Sequence, residues 1–590
     1  MAVVDSHSYA VLEQGQIKHV NLDIAVELAA RLMRIRADYQ LDHPVDGPLH
    51  LDSSGQAITK IYSRSHPIEW KMDAAEPIVG QRLRLMDLRG AQDFTIEFTT
   101  SPEASALQWL EPVQTAGGQH PFVYSQCQAI HARSLFPCQD SPGVRFTYEA
   151  RVRVPNHLRA VMAAAPLGVE HEGDQDVYSF RMPQPIPAYL FAIAAGDLRF
   201  KEIGPRTGIY AEPSMLEAAA WEFEENERKI IEAEKLFGPY LWDRYDLLIL
   251  PPSFPYGGME NPRLTFLTPT AVTGDRSTTT LISHELAHSW TGNLVTNATW
   301  DDFWLNEGWT SYAEARISEI VEGDEIARMT CIINHDLLKE DIQEYGWESP
   351  HTCLKDSLKG LNPDLMVSNV PYHKGRLFLT RLEQAVGRGA FDPFIHRYIA
   401  THQFGSLTTE GFVEFLRKEL PAAVEKVDIE TWIYQPGLPA DCPVFTSKLY
   451  DDLMARIAAY AGGVLPAREE ARNWHYVQKR MFLRLLPAKI PVEDCRKLEE
   501  IFGIEPGGNL RVVYEFYRLA IRSGYKEALP GIEEWVGRVG RHAFLTPLFR
   551  GMTETDWTRR LARPMFESVR PRHHPITVAA VEDVLKGAGV

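Results

Sequence analysis

The hydrophobic period of this chain changes once, near residue 204, and that change constrains the fold more than any other feature. From about residue 15 to 200, apolar and polar residues alternate. In "RFTYEARVRV" (145–154), Phe146, Tyr148, Ala150, Val152 and Val154 share one side of a two-residue period, and "FTIEFTT" (94–100) repeats the pattern. Turn-rich breaks such as "DHPVDGP" and "MPQPIP" separate these runs. The pattern predicts an all-β first domain over residues 1–203. One stretch conflicts with it: the Ala and Leu content of "DIAVELAARLMRIRADY" favours helix, although we read it as strand.

Beyond residue 204 the period lengthens. "SMLEAAAWEFEENERKIIEAEKLFG" opens with Ser214 and Glu217 spaced as a capping box and predicts one long amphipathic helix. "YDLLILPPSF" (245–254) reads as a buried strand, and helical patterns follow to about residue 445. Strand plus helices predicts an α+β middle domain, residues 204–445. "YQPGLPADCPVF" (434–445) is rich in Pro and Gly and reads as a linker. After it, "NLRVVYEFYRLAIRSGY" and "ALPGIEEWVGRVG" read as amphipathic helices of a paired stack, an all-α, solenoid-like third domain over 446–590. A chain of 590 residues is long enough for about three or four such units.

Charge narrows the choice of partner. Lys plus Arg number 61 against 79 Asp plus Glu, a net charge of -18, so the overall field repels phosphate backbones and anionic lipid. Nucleic acid and membrane are not expected partners, and a monomer is the expected state. The six cysteines are scattered without a CxxC pair, which predicts reduced thiols and a cytoplasmic setting. The segment "MAVVDSHSYAVLEQG" has neither a basic nor an apolar leader region, and no run of about 18 apolar residues occurs, so export and membrane spanning are not expected.

The chemistry centres on "LISHELAHSW" (281–290). Residues four apart lie on one face of a helix, so His284 and His288 can present two imidazoles to one metal, with Glu285 beside it. Alone, this five-residue pattern also arises in ordinary buried helices. Glu307 in "WLNEGWTSYAE" follows His288 by nineteen residues and supplies a third ligand. Two His and one Glu with an open position is a standard catalytic zinc set. Glu314, two turns beyond Glu307 on the same face, is placed to accept the other ring N–H of a ligand histidine, or else to sit in solvent. In "PYGGMENP" (255–262), Gly257 and Gly258 permit close backbone approach to a ligand just before Met259 and Glu260.

Together, "GGMENP", "HELAHSWTGNLVTNATWDDFWLNEG", "VPYHKG" (370–375) and "QCQAIHARSLFPCQDSPGV" (126–144) are similar to the zinc gluzincin aminopeptidase family, in the branch of leukotriene-A hydrolase and aminopeptidase B. The resemblance covers most of the chain. It implies a β saddle, a thermolysin-like catalytic domain and a helical C-terminal domain, with one zinc ion per chain and short peptides with free N-termini as substrates. It also implies zinc ligands at His284, His288 and Glu307, a general base at Glu285, an amine anchor at Glu260 and an oxyanion donor at Tyr372. Gln126, Gln128 and Tyr256 match residues near the first substrate pocket, and Arg541 matches an arginine that receives a carboxylate.

Two positions depart from the leukotriene-A hydrolase pattern: Val367 stands where that branch has a second tyrosine, and Ala543 where it has a lysine. Asp364, the aspartate of the epoxide reaction, is retained. The reading is therefore an aminopeptidase. An epoxide hydrolase on the same zinc site and a non-catalytic zinc-binding protein stand as alternatives.

Overall fold

The structure, a computed structural model, describes residues 4–64, 66–277, 279–365 and 368–590. Val367 lies outside these residues.

The N-terminal third is mostly β, with one short α-helix at Ala132–Leu135. Its largest sheet has eight strands, with Arg145–Pro155 beside Ile17–Glu27 and then Leu32–Val45 and Ala91–Thr99. Ile17–Glu27 runs parallel to Arg145–Pro155 and antiparallel to Leu32–Val45. The stretch with conflicting propensity is this hairpin. Val20, Leu22, Ile24 and Val26 on one strand, and Met33, Ile35, Ala37 and Tyr39 on the other, are all buried. Burying every second side chain satisfies a sheet face, whereas a helix would scatter the same residues around its axis. Two further sheets, of four and three strands, lie in this region.

A five-stranded mixed sheet follows, in the order Arg199–Glu202, Thr207–Ala211, Tyr245–Ile249, Leu264–Leu267, Gly258–Met259. Tyr245–Ile249 is buried along its whole length, as a strand covered on both faces must be. Gly258–Met259 is the edge strand, pairing antiparallel with Gly258 opposite Leu267 and Met259 opposite Phe266.

The long helix expected after residue 213 is two helices, Pro213–Glu222 and Asn226–Phe237. The capping box of Ser214 and Glu217 does not form. Pro213 at the first helical position starts the helix two residues earlier, with Glu212 as its cap residue. The Glu212 carboxylate accepts instead from the Ala116 and Gly117 N–H groups, and Glu217 pairs with Lys201. At the break, the buried Glu222 carboxylate accepts from Thr273 Oγ1 and the Gly274 N–H.

Helices Thr279–Ala287, Trp304–Val321, Asp324–Tyr345 and Gly375–Val386 carry the middle of the chain, and nine α-helices from Lys448 to Gly587 complete it among the described residues. One continuous apolar core joins the β region to the middle sheet and helices. A second core holds the C-terminal helices and takes in Met329 and Ile333 of Asp324–Tyr345, which is how the C-terminal stack is anchored. Leu510–Ser523 is strongly amphipathic, burying Val512, Val513, Phe516, Leu519 and Ala520 on one face.

One close contact fixes the geometry of the site. Gly308 and Gly375 meet where their helices cross: a Cβ on Gly308 would stand 2.8 Å from Gly375 Cα and 2.9 Å from Pro371 O. This approach sets Glu307 and Tyr372 on facing surfaces. Gly308→Ala is expected to cost about 1–3 kcal/mol through overpacking, read as a lower Tm in thermal unfolding. An unchanged Tm would mean that the two helices can separate freely.

Candidate active site

His284 lies in the last turn of Thr279–Ala287, and His288 continues the turn, its N–H donating to His284 O at 3.2 Å. The helical spacing therefore persists just past the last helical residue. The two rings turn their Nε2 atoms toward each other, 3.2 Å apart. Glu307 Oε2 lies 3.2 Å from His284 Nε2 and 3.6 Å from His288 Nε2. Glu307 sits in the first turn of Trp304–Val321 and is 4 % exposed.

The second nitrogen of each ring is already engaged. His284 Nδ1 pairs with Glu314 Oε2 at 3.0 Å, and His288 Nδ1 with Thr310 Oγ1 at 3.2 Å. Both bonds leave Nε2 as the free donor and orient the rings. Glu307 Oε2 is buried and has no hydrogen-bond donor. Donors at about 2.0–2.1 Å around a tetrahedral zinc stand roughly 3.4 Å apart. The three separations match that value, so the residues fit zinc.

Charge points the same way. Glu260, Glu285, Glu307 and Glu314 surround two imidazoles. Burial, followed by the Glu307 and Glu285 carboxylates, raises Glu260 well above the usual carboxyl range. Burial lifts Glu285 to about 7; His284 opposes this, while Glu307 and Glu314 add to it. Burial disfavours a charged His284, but Glu307 and Glu314 overcome that and raise its pKa, whereas burial lowers His288 to about 3. Ionising all of these buried carboxylates together is costly, and a bound cation offsets that cost.

The edge strand brings the remaining groups in. A Cβ on Gly258 would stand 2.2 Å from Glu285 Oε1, and one on Gly257 would stand 2.9 Å from Arg541 Nη2. The Gly257–Gly258 backbone is thus held between the zinc-site glutamate and the C-terminal helices. His542 N–H donates to Pro255 O at 3.3 Å and fastens the same loop. Gly258→Ala is expected to push Glu285 aside and lower kcat/KM on an aminoacyl amide by about 10²-fold with zinc retained. Kinetics with metal analysis would check it, and an unaffected rate would contradict this packing.

Glu260, also 4 % exposed, groups with Glu285 and His288: one side-chain donor from each lies within 4.8 Å of the others. Its backbone O accepts from Asn293 Nδ2 at 2.7 Å. Gln128 Nε2 lies 3.5 Å from Glu260 Oε1, and Gln126 Nε2 lies 3.1 Å from Met259 Sδ. Both glutamines come from the β region. Tyr372 occupies a π turn, Val370–Lys374, with its ring 6.1 Å from that of His284. Such wide turns recur at functional sites. Lys374 Nζ donates to Thr352 O and Gln435 O at 2.8 and 2.9 Å and holds this turn in place.

Tyr256, 36 % exposed, packs edge-on against Phe254 and His542. The Asp364 carboxylate is occupied: His131 Nε2 lies 2.7 Å from Oδ2, and the Ala129 N–H donates to Oδ1 at 3.3 Å. Ala543 is exposed.

The comparisons agree in outline with this architecture. Residues 19–190 match the description "Peptidase M1 N-terminal domain", 221–432 "Peptidase family M1 domain", and 474–585 "Leukotriene A4 hydrolase, C-terminal". The chain is 36% identical over 596 residues to leukotriene A-4 hydrolase of Xenopus laevis, covering 98% of each. The chain belongs to peptidase family M1. It is also 36% identical over 602 residues to leucine aminopeptidase 2 of Chaetomium globosum, again 98% of each chain. Native leukotriene A4 hydrolase from Saccharomyces cerevisiae superposes with a TM-score of 0.90 at 33% identity, over 100% of this chain and 98% of that one. An M1 zinc metallopeptidase from Deinococcus radiodurans shares the fold at 20% identity and a TM-score of 0.60.

For this M1 member, sequence reasoning missed Thr310 and Asn293. Thr310 follows Glu307 by three residues and so shares its helix face, a usable signal; Asn293 reaches Glu260 only through the fold. Sequence reasoning also missed His131, which holds Asp364 across 233 residues.

Proposed function

We propose that this chain is a zinc-dependent aminopeptidase that removes the N-terminal residue from short peptides. The observation that carries the reading is Glu260, a buried carboxylate beside Glu285 and His288. A carboxylate fixed about one residue's length from the reacting centre demands a free α-ammonium and sets exopeptidase register. The names of the relatives, leucine aminopeptidase among them, support it.

His284, His288 and Glu307 would hold the zinc, which when bound would supply Lewis acidity toward the scissile carbonyl and the attacking water. Glu285 accepts the water proton on its carboxylate and passes it to the leaving amine. The Tyr372 hydroxyl, which burial and then the Glu307 carboxylate keep protonated, donates to the oxyanion as it develops. Glu260 anchors the α-ammonium, and the Gly257–Gly258 backbone keeps the peptide in register. Glu314 and Thr310 hold the ligand imidazoles in one tautomer.

The epoxide reading depends on Asp364, whose carboxylate His131 and the Ala129 N–H already engage, so peptide hydrolysis is preferred. All six cysteines are free, and five are buried. We read this as a reducing, cytoplasmic setting. Among the described residues no helix is long and apolar enough to cross a membrane.

The test is a panel of aminoacyl amides and tripeptides assayed with and without a chelator. Hydrolysis is expected to release the first residue, to stop when metal is removed, and to return on adding zinc. Undiminished hydrolysis by protein shown to be metal-free would refute the reading.

A further inference from the structure

A cavity of about 230 Å³ borders the zinc site, and Glu260, Glu285 and His288 are not among the residues that line it. One wall is the site itself: His284, Glu314 and Tyr372. The other belongs to the C-terminal helices: Tyr476 and Arg480 of Tyr476–Leu485, and Arg511 in the first turn of Leu510–Ser523. With the amine anchored at Glu260, outside this lining, the cavity is the space we assign to the residue beyond the scissile bond.

The cavity carries more positive charge than its neighbours neutralise. Glu314 pairs with His284 at 3.0 Å. Arg480 pairs with Glu515 at 3.7 Å, and that carboxylate also accepts from Arg518 Nη1 at 3.2 Å. Among the described residues no carboxylate lies within ion-pair distance of the Arg511 guanidinium. Asn509 Oδ1 caps the helix end, accepting from the Arg511 and Val512 N–H groups. Arg541 adds a third positive group nearby: burial, then Arg511 and Arg480, lower it to about 9. Arg511, part-exposed at the edge of a partly closed cavity, can offer its guanidinium to an anion that enters there.

We propose that Arg511, supported by Arg480, forms a carboxylate-receiving subsite for the residue that follows the scissile bond. The proposal rests on the aminopeptidase reading and deepens it. Its substrates are peptides with Asp or Glu in second position, or dipeptides whose own C-terminal carboxylate reaches the same place. The planar guanidinium suits a carboxylate through paired N–H donors, and Tyr476 adds an aromatic wall.

The test compares KM and kcat for leucyl-glutamate amide, leucyl-glutamine amide and leucyl-lysine amide, and for leucyl-glycine with its C-terminus free or amidated. The parent is expected to bind the carboxylate-bearing member of at least one pair about ten-fold better, through KM. The glutamate/glutamine pair reports the side chain, and the free/amidated pair the C-terminus. In Arg511→Gln that ratio should fall toward one, and in Arg511→Glu the preference should turn to lysine, a gain that structural damage does not produce. Arg511→Lys should keep part of the ratio. A parent indifferent to the carboxylate in both pairs, or an Arg511→Gln variant with the parental ratio, overturns the subsite while leaving the aminopeptidase reading intact. A parent that cleaves none of these peptides, nor leucine anilide, overturns both.

Discussion

Glu285→Gln is expected to lower kcat/KM on an aminoacyl amide by about 10³-fold while zinc content stays unchanged. The amide occupies the same volume but cannot accept the water proton, and a positioned base contributes on the order of 10²–10⁴. A thousand-fold loss corresponds to roughly 4 kcal/mol of transition-state stabilisation. Metal should remain because Glu285 is not among the donors that meet at the zinc position; those are His284 Nε2, His288 Nε2 and Glu307 Oε2. Steady-state kinetics with metal analysis on the same sample checks both halves. Near-normal turnover by zinc-loaded Glu285→Gln would remove Glu285 from the mechanism.

Glu260→Ala is expected to reduce kcat/KM on peptides with a free N-terminus by about 10²–10³-fold and to erase most of the discrimination against N-acetylated ones. Truncating one partner of a buried charge pair costs on the order of 2–5 kcal/mol. The variant should fold. Glu260 shares its pocket with Glu285 and Glu307, which raise its pKa in addition to the effect of burial, so the metal-free protein loses repulsion when that carboxylate goes. Its Tm should match or exceed that of the parent without zinc, as expected where function places like charges together. The decisive comparison is the ratio of kcat/KM for leucine amide to that for its N-acetyl derivative. A parental ratio in Glu260→Ala would defeat the exopeptidase register.

The parts of the site that were legible beforehand share one property: they follow from the repeat of a single helix. His284 and His288 are one turn apart, and Glu307 and Glu314 are two turns apart, so a face was implied before any tertiary contact. The structure brings those faces together, with Glu314 on His284 and Glu307 between the rings. Thr310 lay on the same face and was passed over because a threonine in a helix has many ordinary uses. Helix starts were harder to read. Ser214 and Glu217 have capping spacing, yet Pro213 starts the helix earlier and the Glu212 and Glu222 side chains serve other segments. Local pattern yields to tertiary hydrogen bonding wherever a buried carboxylate must find donors.

By itself, the sequence indicated the class of each region, a candidate zinc-ligand set and, through resemblance, the family. These depend on periodicity and on residues close in the chain, where backbone geometry leaves little freedom. Only the tertiary structure decided what surrounds the zinc position. The crossing of Gly308 and Gly375, the seating of Gly257 and Gly258 between Arg541 and Glu285, and the approach of Gln128 to Glu260 join segments from different parts of the chain. So does the cavity wall of Arg480 and Arg511, about two hundred residues beyond His284. Such contacts are set by how whole elements pack against one another, and no local repeat encodes that packing.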